Sequence, residues 1–326
     1  MRASSRRRVG VWAAAGAIVL GLVAACVGAD PSSTSTTAAD GGADSSTPLD
    51  AATAQDAGGQ DSSSAADAAD AGPTLPNVGA GHLQLWLTAD KGVTCTANQV
   101  TTWADQSGKG HTATSGSHTG PQCPPAGHAL NGINLPYFSS PGGAPFADES
   151  LDVNLSFLDG TDFTVFVVER RWKDRTFGGG DNNALIGTDP PVNGACPDAA
   201  DTFFFFGYSY YDGFPALNYE PLCGGTRGGV SDASTLPPSP TVLDMLRLEQ
   251  DAGTHSLFQN GVKVNSGGTL GRSSHGLVGG AIGRAGTASE SRFQGDIAEV
   301  VIFDTALGDT AKQQMEAYFK AHWNLP

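Results

Sequence analysis

Chemistry in this 326-residue chain must come from a small set of side chains: a crowd of aromatics between Phe203 and Phe214, four widely spaced cysteines, and scattered histidines and carboxylates. Tyr210 and Tyr211 precede Asp212-Gly213, a pair that favours a turn, and tyrosine faces presented in a loop can stack on sugar rings. Tyr210 and Tyr211 are therefore candidate ligand-binding residues. Phe203 to Phe206 are consecutive and apolar, which fits a strand buried on both faces. No Gly-x-Ser-x-Gly elbow and no His-Glu-x-x-His occurs, so acyl transfer and zinc proteolysis lack their usual signatures. The seven histidines are spread along the chain and read mostly as surface or turn residues.

Cys95, Cys123, Cys196 and Cys223 show no C-x-x-C pair and no Cys/His spacing of a zinc site. Their even number predicts two disulfides, with three connectivities open. Pairing Cys95 with Cys123 and Cys196 with Cys223 closes two loops of similar length, each worth on the order of 3 to 4 kcal/mol.

The elements that position these residues are mostly strands. Short apolar runs recur between Gly, Pro, Asn and Asp clusters at 83–87, 163–168, 202–208, 214–219, 242–248, 255–258 and 297–303. Asn260-Gly261 between two such runs is a hairpin signal, because both residues tolerate positive φ. One helix is predicted, over 309–323, where Ala311, Met315, Tyr318, Phe319 and Trp323 form an apolar stripe. Trp86 and Trp103 read as core. The pattern predicts an all-β, two-sheet antiparallel sandwich with a C-terminal α-helix over residues 78–326.

Charge divides the chain differently. The net charge is −15; residues 27–77 hold eight aspartates, no basic residue and no aromatic. Such a segment cannot bury enough apolar surface to offset its ordering entropy, so 26–77 reads as a disordered tether with an r.m.s. span of roughly 40 Å. A chain this acidic repels phosphate backbones, which argues against nucleic acid as a partner. Residues 1–25 combine Arg2, Arg6, Arg7 and Arg8 with an apolar stretch from Val9, the pattern of an export signal. Its end, Leu22-Val23-Ala24-Ala25-Cys26, resembles the lipobox of bacterial lipoproteins. That resemblance implies lipidation of Cys26, attachment to a membrane through the lipid, and an oxidising compartment for the other cysteines. Val27, where an inner-membrane retention signal often has aspartate, points to the outer membrane or cell surface.

Two further stretches carry a family resemblance. Leu85 to Asp90 with Val100 to His111, and Ile282-Gly283-Arg284 with Phe293 to Asp304, resemble the opening and close of laminin-G-like, concanavalin A-like jelly-roll domains. The resemblance covers nearly all of 80–326. It implies a jelly roll that binds carbohydrate or a surface protein, and in some members a calcium ion. Asp105, in a loop with Gly108 and Gly110, and Glu299 are the candidate ligands for Ca2+, although Ala298 stands where many relatives have aspartate. Glucanases on this fold often carry Glu-x-Asp-x-x-Glu, which is absent here. The expectation is a non-catalytic, surface-anchored binding protein. A polysaccharide hydrolase or lyase built from distant residues, and a purely structural envelope protein, remain the alternatives.

Overall fold

The computed structural model describes residues 74–123, 127–139, 149–172, 182–188, 203–211, 214–223, 226–227, 230–231, 242–267, 279–285 and 292–326. Residues 1–73, which include the expected signal, Cys26 and most of the expected tether, lie outside them, as does Cys196. Among the described residues, no helix is long and apolar enough to cross a membrane.

The strands are β1 (Leu83–Thr88), β2 (Val93–Thr96), β3 (Gln99–Trp103), β4 (Ala113–Thr114), β5 (Ala129–Leu130), β6 (Ile133–Asn134), β7 (Tyr137–Phe138), β8 (Leu151–Asp152), β9 (Phe163–Arg171) and β10 (Asn182–Gly187). They continue with β11 (Phe203–Tyr211), β12 (Phe214–Cys223), β13 (Thr226–Arg227), β14 (Val230–Ser231), β15 (Asp244–Asp251), β16 (Thr254–Gln259), β17 (Val262–Gly267), β18 (Ala281–Ile282) and β19 (Gly295–Phe303). One helix, α1 (Asp309–Trp323), follows. One sheet runs β1-β19-β9-β15-β16-β17 with β7 also on β19; the second runs β13-β12-β11-β10-β18-β8-β4-β3-β2 with β14 also on β12; β5 and β6 pair as a small separate ribbon. Both ladders are antiparallel, so the expected two-sheet sandwich with a terminal helix is what forms.

The central strands β9 and β19 are buried along their whole length, as their apolar runs require. Alternation separates two faces of β9. Glu169 on one face meets Tyr208 of the opposite sheet, so Phe163, Val165 and Val167 look into the gap between sheets. Phe166 on the other face packs on Phe319 of α1 at 5.3 Å, so that face lies under the helix. The helix buries Met315, Tyr318, Phe319 and Trp323, the predicted stripe, and stops where Asn324 turns left-handed at φ 54°. Asp309 in its first turn and Lys320 and His322 in its last complement the helix dipole. Lys312 ties it to Glu249 of β15 at 3.2 Å. At the β16–β17 hairpin Asn260 and Gly261 take φ of 51° and 83°, the conformation that the Asn-Gly pair predicts.

Cys95 of β2 is bonded to Cys123, with Cα atoms 6.0 Å apart. This is the first of the two expected disulfides. The second falls outside the described residues through Cys196.

Strand β19 carries one irregularity that matters for the site. Ile297 pairs with Glu169 and Glu299 with Val168, so Ala298 is the extra residue of a bulge. Strict alternation would put Asp296 and Glu299 on opposite faces. With the bulge, both carboxylates face the helix side of the sheet.

Candidate functional site

The two carboxylates expected to share a calcium ion converge instead on one tryptophan. Asp105 Oδ1 accepts the backbone N–H of Trp86 at 3.0 Å, and Glu299 Oε1 accepts the indole N–H of the same residue at 2.7 Å. The remaining lone pairs of each are also taken. Asp105 accepts the backbone N–H of Ser107 at 2.9 Å, that of His111 at 3.0 Å, and the Ser107 hydroxyl at 2.7 Å. Burial works against the charge on Asp105, but these donors outweigh it and hold its pKa below the ordinary carboxylate value. Glu299, fully buried, accepts Tyr318 OH at 3.0 Å and the Trp323 indole N–H at 2.6 Å. A cation at either oxygen pair would face hydrogens rather than lone pairs, so this donor set does not fit calcium. Among the described residues, no group of three or more His, Cys, Asp or Glu side chains is placed to hold a metal.

The loop at Asp105 serves the edge of the sheet. Strand β1 has β19 on one side; on its other side Trp86 N bonds Asp105, Trp86 O accepts Gln106 N at 2.7 Å, and Gln84 O lies 3.0 Å from the Ser107 hydroxyl. The open edge of β1 is thus covered by three loop residues. Gly108 and Gly110, at φ 79° and 83°, let the chain double back within six residues so that His111 N also reaches Asp105.

Trp86, expected in the core, is only partly buried, whereas Trp103 is fully buried. It forms a wall of an open cleft of about 420 Å³, completed by residues 74–81, Leu83, Gln106, Ser107 and Lys109. Gln106 spends its Nε2 on Ala104 O at 2.9 Å and keeps Oε1 as an acceptor. Lys109 contributes an exposed ammonium group. The cleft therefore combines an indole locked at its backbone and ring nitrogens with an amide oxygen, a hydroxyl and a cation.

Glu299 is itself held from the helix. His322 lies between Asp90 at 3.3 Å and Glu299 at 3.4 Å, and its Nδ1 is 2.8 Å from Tyr318 OH. Burial disfavours the imidazolium, yet the hydrogen bonds to Asp90 and Glu299 prevail and push the His322 pKa up to about 9. The histidines are less superficial than their scatter implied: His128 and His255 are buried, and the His322 side chain is 5% exposed.

Tyr210 and Tyr211 are strand residues at the end of β11, opposite Pro215 and Phe214 of β12, rather than loop residues. Their side chains lie outside what the structure describes.

Periodicity alone could have found Trp86. In Leu83-Gln84-Leu85-Trp86-Leu87, Leu85 and Leu87 share the inner face, which leaves Trp86 beside Gln84 on the other.

No protein-family model and no curated protein matches the chain. Solved structures of similar shape include domain 4 of the arabinanase AbnA of Geobacillus stearothermophilus with arabinotriose: 16% identity over 72% of this chain and 97% of that one, TM-score 0.46. The binding domain of Paraclostridial Mosquitocidal Protein 1 matches at 14% identity over 75% of this chain and 55% of that one, TM-score 0.47. The sialidase carbohydrate-binding module of Ruminococcus gnavus with α2,6 sialyllactose matches at 12% identity over 50% and 85%, TM-score 0.38. At such distances these likenesses carry nothing about what the chain binds.

Proposed function

We propose that this chain is an exported, Cys26-lipidated surface protein whose sandwich binds carbohydrate in the Trp86 cleft without cleaving it. The observation that supports this is the state of Trp86: a partly exposed residue held at its backbone nitrogen and at its indole nitrogen, in an open cleft with polar groups around it. Sugar recognition needs that combination, an aromatic surface for the C–H face of the ring and a few placed donors and acceptors for its hydroxyls. Fixing the indole in the free protein removes ordering entropy from the binding step. Glycoside hydrolysis takes two carboxylates flanking the scissile bond. The described cleft lining contains no Asp or Glu, which favours binding over turnover.

The tether would carry the head outward from an outer-membrane or cell-surface anchor, where glycans and other surface proteins are within reach. A glycan array on the full chain, with Trp86→Ala beside it, tests the reading. Binding that drops about ten-fold or more in Trp86→Ala is expected. Release of reducing ends from a bound polysaccharide, or an array with no positive glycan, would overturn it. Palmitate labelling that persists in Cys26→Ser would overturn the anchor.

A further inference from the structure

Two turns of the chain carry the same dipeptide in the same conformation. Asn131-Gly132 joins β5 to β6 with φ of 50° and 79°, and Asn260-Gly261 joins β16 to β17 with φ of 51° and 83°. Both are two-residue hairpins, so local sequence and backbone do not distinguish them. Their surroundings do. Asn260 is clamped: its Oδ1 accepts the backbone N–H of Met245 at 2.9 Å, its Nδ2 donates to Asp244 Oδ1 at 2.8 Å, and its own N–H donates to Met245 O at 2.7 Å. The turn is half-buried, and a Cβ built on Gly261 would meet Glu316 Oε2 of α1 at 2.9 Å. Behind it stands a hairpin of five residue pairs, itself joined to β15.

Asn131 stands in open space. It and Gly132 are exposed, a Cβ built on Gly132 would meet nothing within 4 Å, and among the described residues no group bonds the Asn131 side chain. Its ribbon has two residue pairs and belongs to neither large sheet. A structure that small opens at the low end of the free-energy range for local unfolding, whereas opening the Asn260 turn breaks bonds to β15 as well. Asn-Gly is also the pair in which the side-chain amide is most open to attack by the next backbone nitrogen, since glycine places no Cβ beside that nitrogen. A third such pair, Asn193-Gly194, lies outside the described residues.

We propose that Asn131 is a site of spontaneous covalent modification, converting through a cyclic imide to isoaspartate, while Asn260 is protected from the same reaction. Once the turn opens, the Gly132 nitrogen gives up its proton and bonds to Asn131 Cγ; the Cγ–Nδ2 bond breaks, and Nδ2 leaves as ammonia with that proton. Water then opens the five-membered imide. Attack at the main-chain carbonyl of residue 131 leaves the chain running through Cγ, which is isoaspartate, and attack at Cγ gives aspartate. Either product adds one negative charge, and isoaspartate also adds one methylene to the main chain at the tip. The two-residue register then no longer fits, so Leu130 and Ile133, which pack on the core, lose their pairing. His128, 2.7 Å from buried Asp296, holds the base of the ribbon, so the change loosens the tip and leaves the sandwich folded. None of this involves the Trp86 cleft, and the inference stands apart from the carbohydrate reading.

Peptide-mapping mass spectrometry of the full, folded chain, held at neutral pH and body temperature for a month, tests it. Asn131 should gain about 1 Da at a rate at least about ten-fold that of Asn260, with fragment ions showing isoaspartate as the major product. Asp244→Ala, which removes the acceptor of Asn260 Nδ2, should speed conversion at Asn260 and leave the rate at Asn131 unchanged. Cooperative melting shows whether that variant is folded; if it is not, the ratio of the two rates in the wild type decides. Asn260 converting as fast as Asn131, or no conversion at Asn131, would overturn the proposal. So would conversion at Asn131 only in a urea-unfolded sample, or aspartate as the sole product.

Discussion

Asp105 and Glu299 grip opposite ends of Trp86, the first at its backbone nitrogen 3.0 Å away and the second at its ring nitrogen 2.7 Å away, from positions 194 residues apart in the chain. Both carboxylates therefore act on the cleft wall through hydrogen bonds. Asp105→Ala frees the backbone N–H groups of Trp86, Ser107 and His111 at once, and should cost on the order of 2 to 4 kcal/mol in urea unfolding. Because its oxygens are filled by donors, the melting temperature should be indifferent to EDTA and to added calcium. A calcium-dependent rise of several degrees would show that an ion displaces these bonds.

Glu299→Gln separates positioning from charge. The amide keeps one acceptor oxygen but turns its NH2 toward a donor, either Trp86 or Trp323. It also leaves His322 with Asp90 as its one anion of the pair. The expected loss is about 3 to 5 kcal/mol of stability. In whatever fraction remains folded, glycan affinity at the cleft should weaken.

His322 makes stability depend on alkali. Its folded pKa of about 9 exceeds the ordinary value of 6.5, so its contribution is fully present below about pH 6.5 and is lost as pH rises through 9. Asp90 and Glu299 are the anions that face it. The loss should be on the order of 1 to 3 kcal/mol, seen as a falling unfolding midpoint between pH 6.5 and 9.5. His322→Gln should flatten that slope; an unchanged slope would assign the effect elsewhere.

Much of the frame was legible because it is local. The long apolar runs of β9, β15 and β19 and the stripe on α1 express periods of two and 3.6 residues. The two-residue strands β7, β8 and β18 were not legible, since each pairs with a neighbour supplied by distant sequence. The site was half legible. Asp105 and Glu299 could be singled out from their loop and strand, but Trp86 of β1 and Tyr318 and Trp323 of α1, which decide what Glu299 does, come from opposite ends of the domain sequence. The bulge at Ala298 was equally hidden, as an alanine in a strand gives no sign of an extra residue.

Glu169 offers a second pH probe on the opposite face of β9. Burial pushes its pKa up to about 8, against the opposing Tyr208 hydrogen bond and Arg171 charge. Raised above its unfolded value of about 4.5, it contributes stability that is whole below that pH and lost as pH rises through 8. Glu169→Gln, which mimics the protonated acid, should melt a few degrees above the wild type at pH 9 and close to it at pH 4.5. Melting below the wild type at pH 9 would contradict a neutral Glu169.

Removing the Cys95–Cys123 bond releases a loop spanning 28 positions. The double change Cys95→Ser with Cys123→Ser should lower stability by about 3 to 4 kcal/mol, read as a lower urea midpoint with a slope that stays the same or rises, because the unlinked denatured chain exposes more surface.

The pairing of β1 with β19 has a consequence for the order of assembly. Trp86 and Glu299 are 213 residues apart, so a chain emerging from its N-terminal side exposes β1 long before its ladder partner exists. The loop at 105–107 meets that interval, because its two hydrogen bonds to the Trp86 backbone, from Asp105 and Gln106, close over only about twenty residues. In a nascent chain it would shield β1 from within the same chain. It would occupy one flank of an early, unpaired strand and leave the other free for the strand that arrives last.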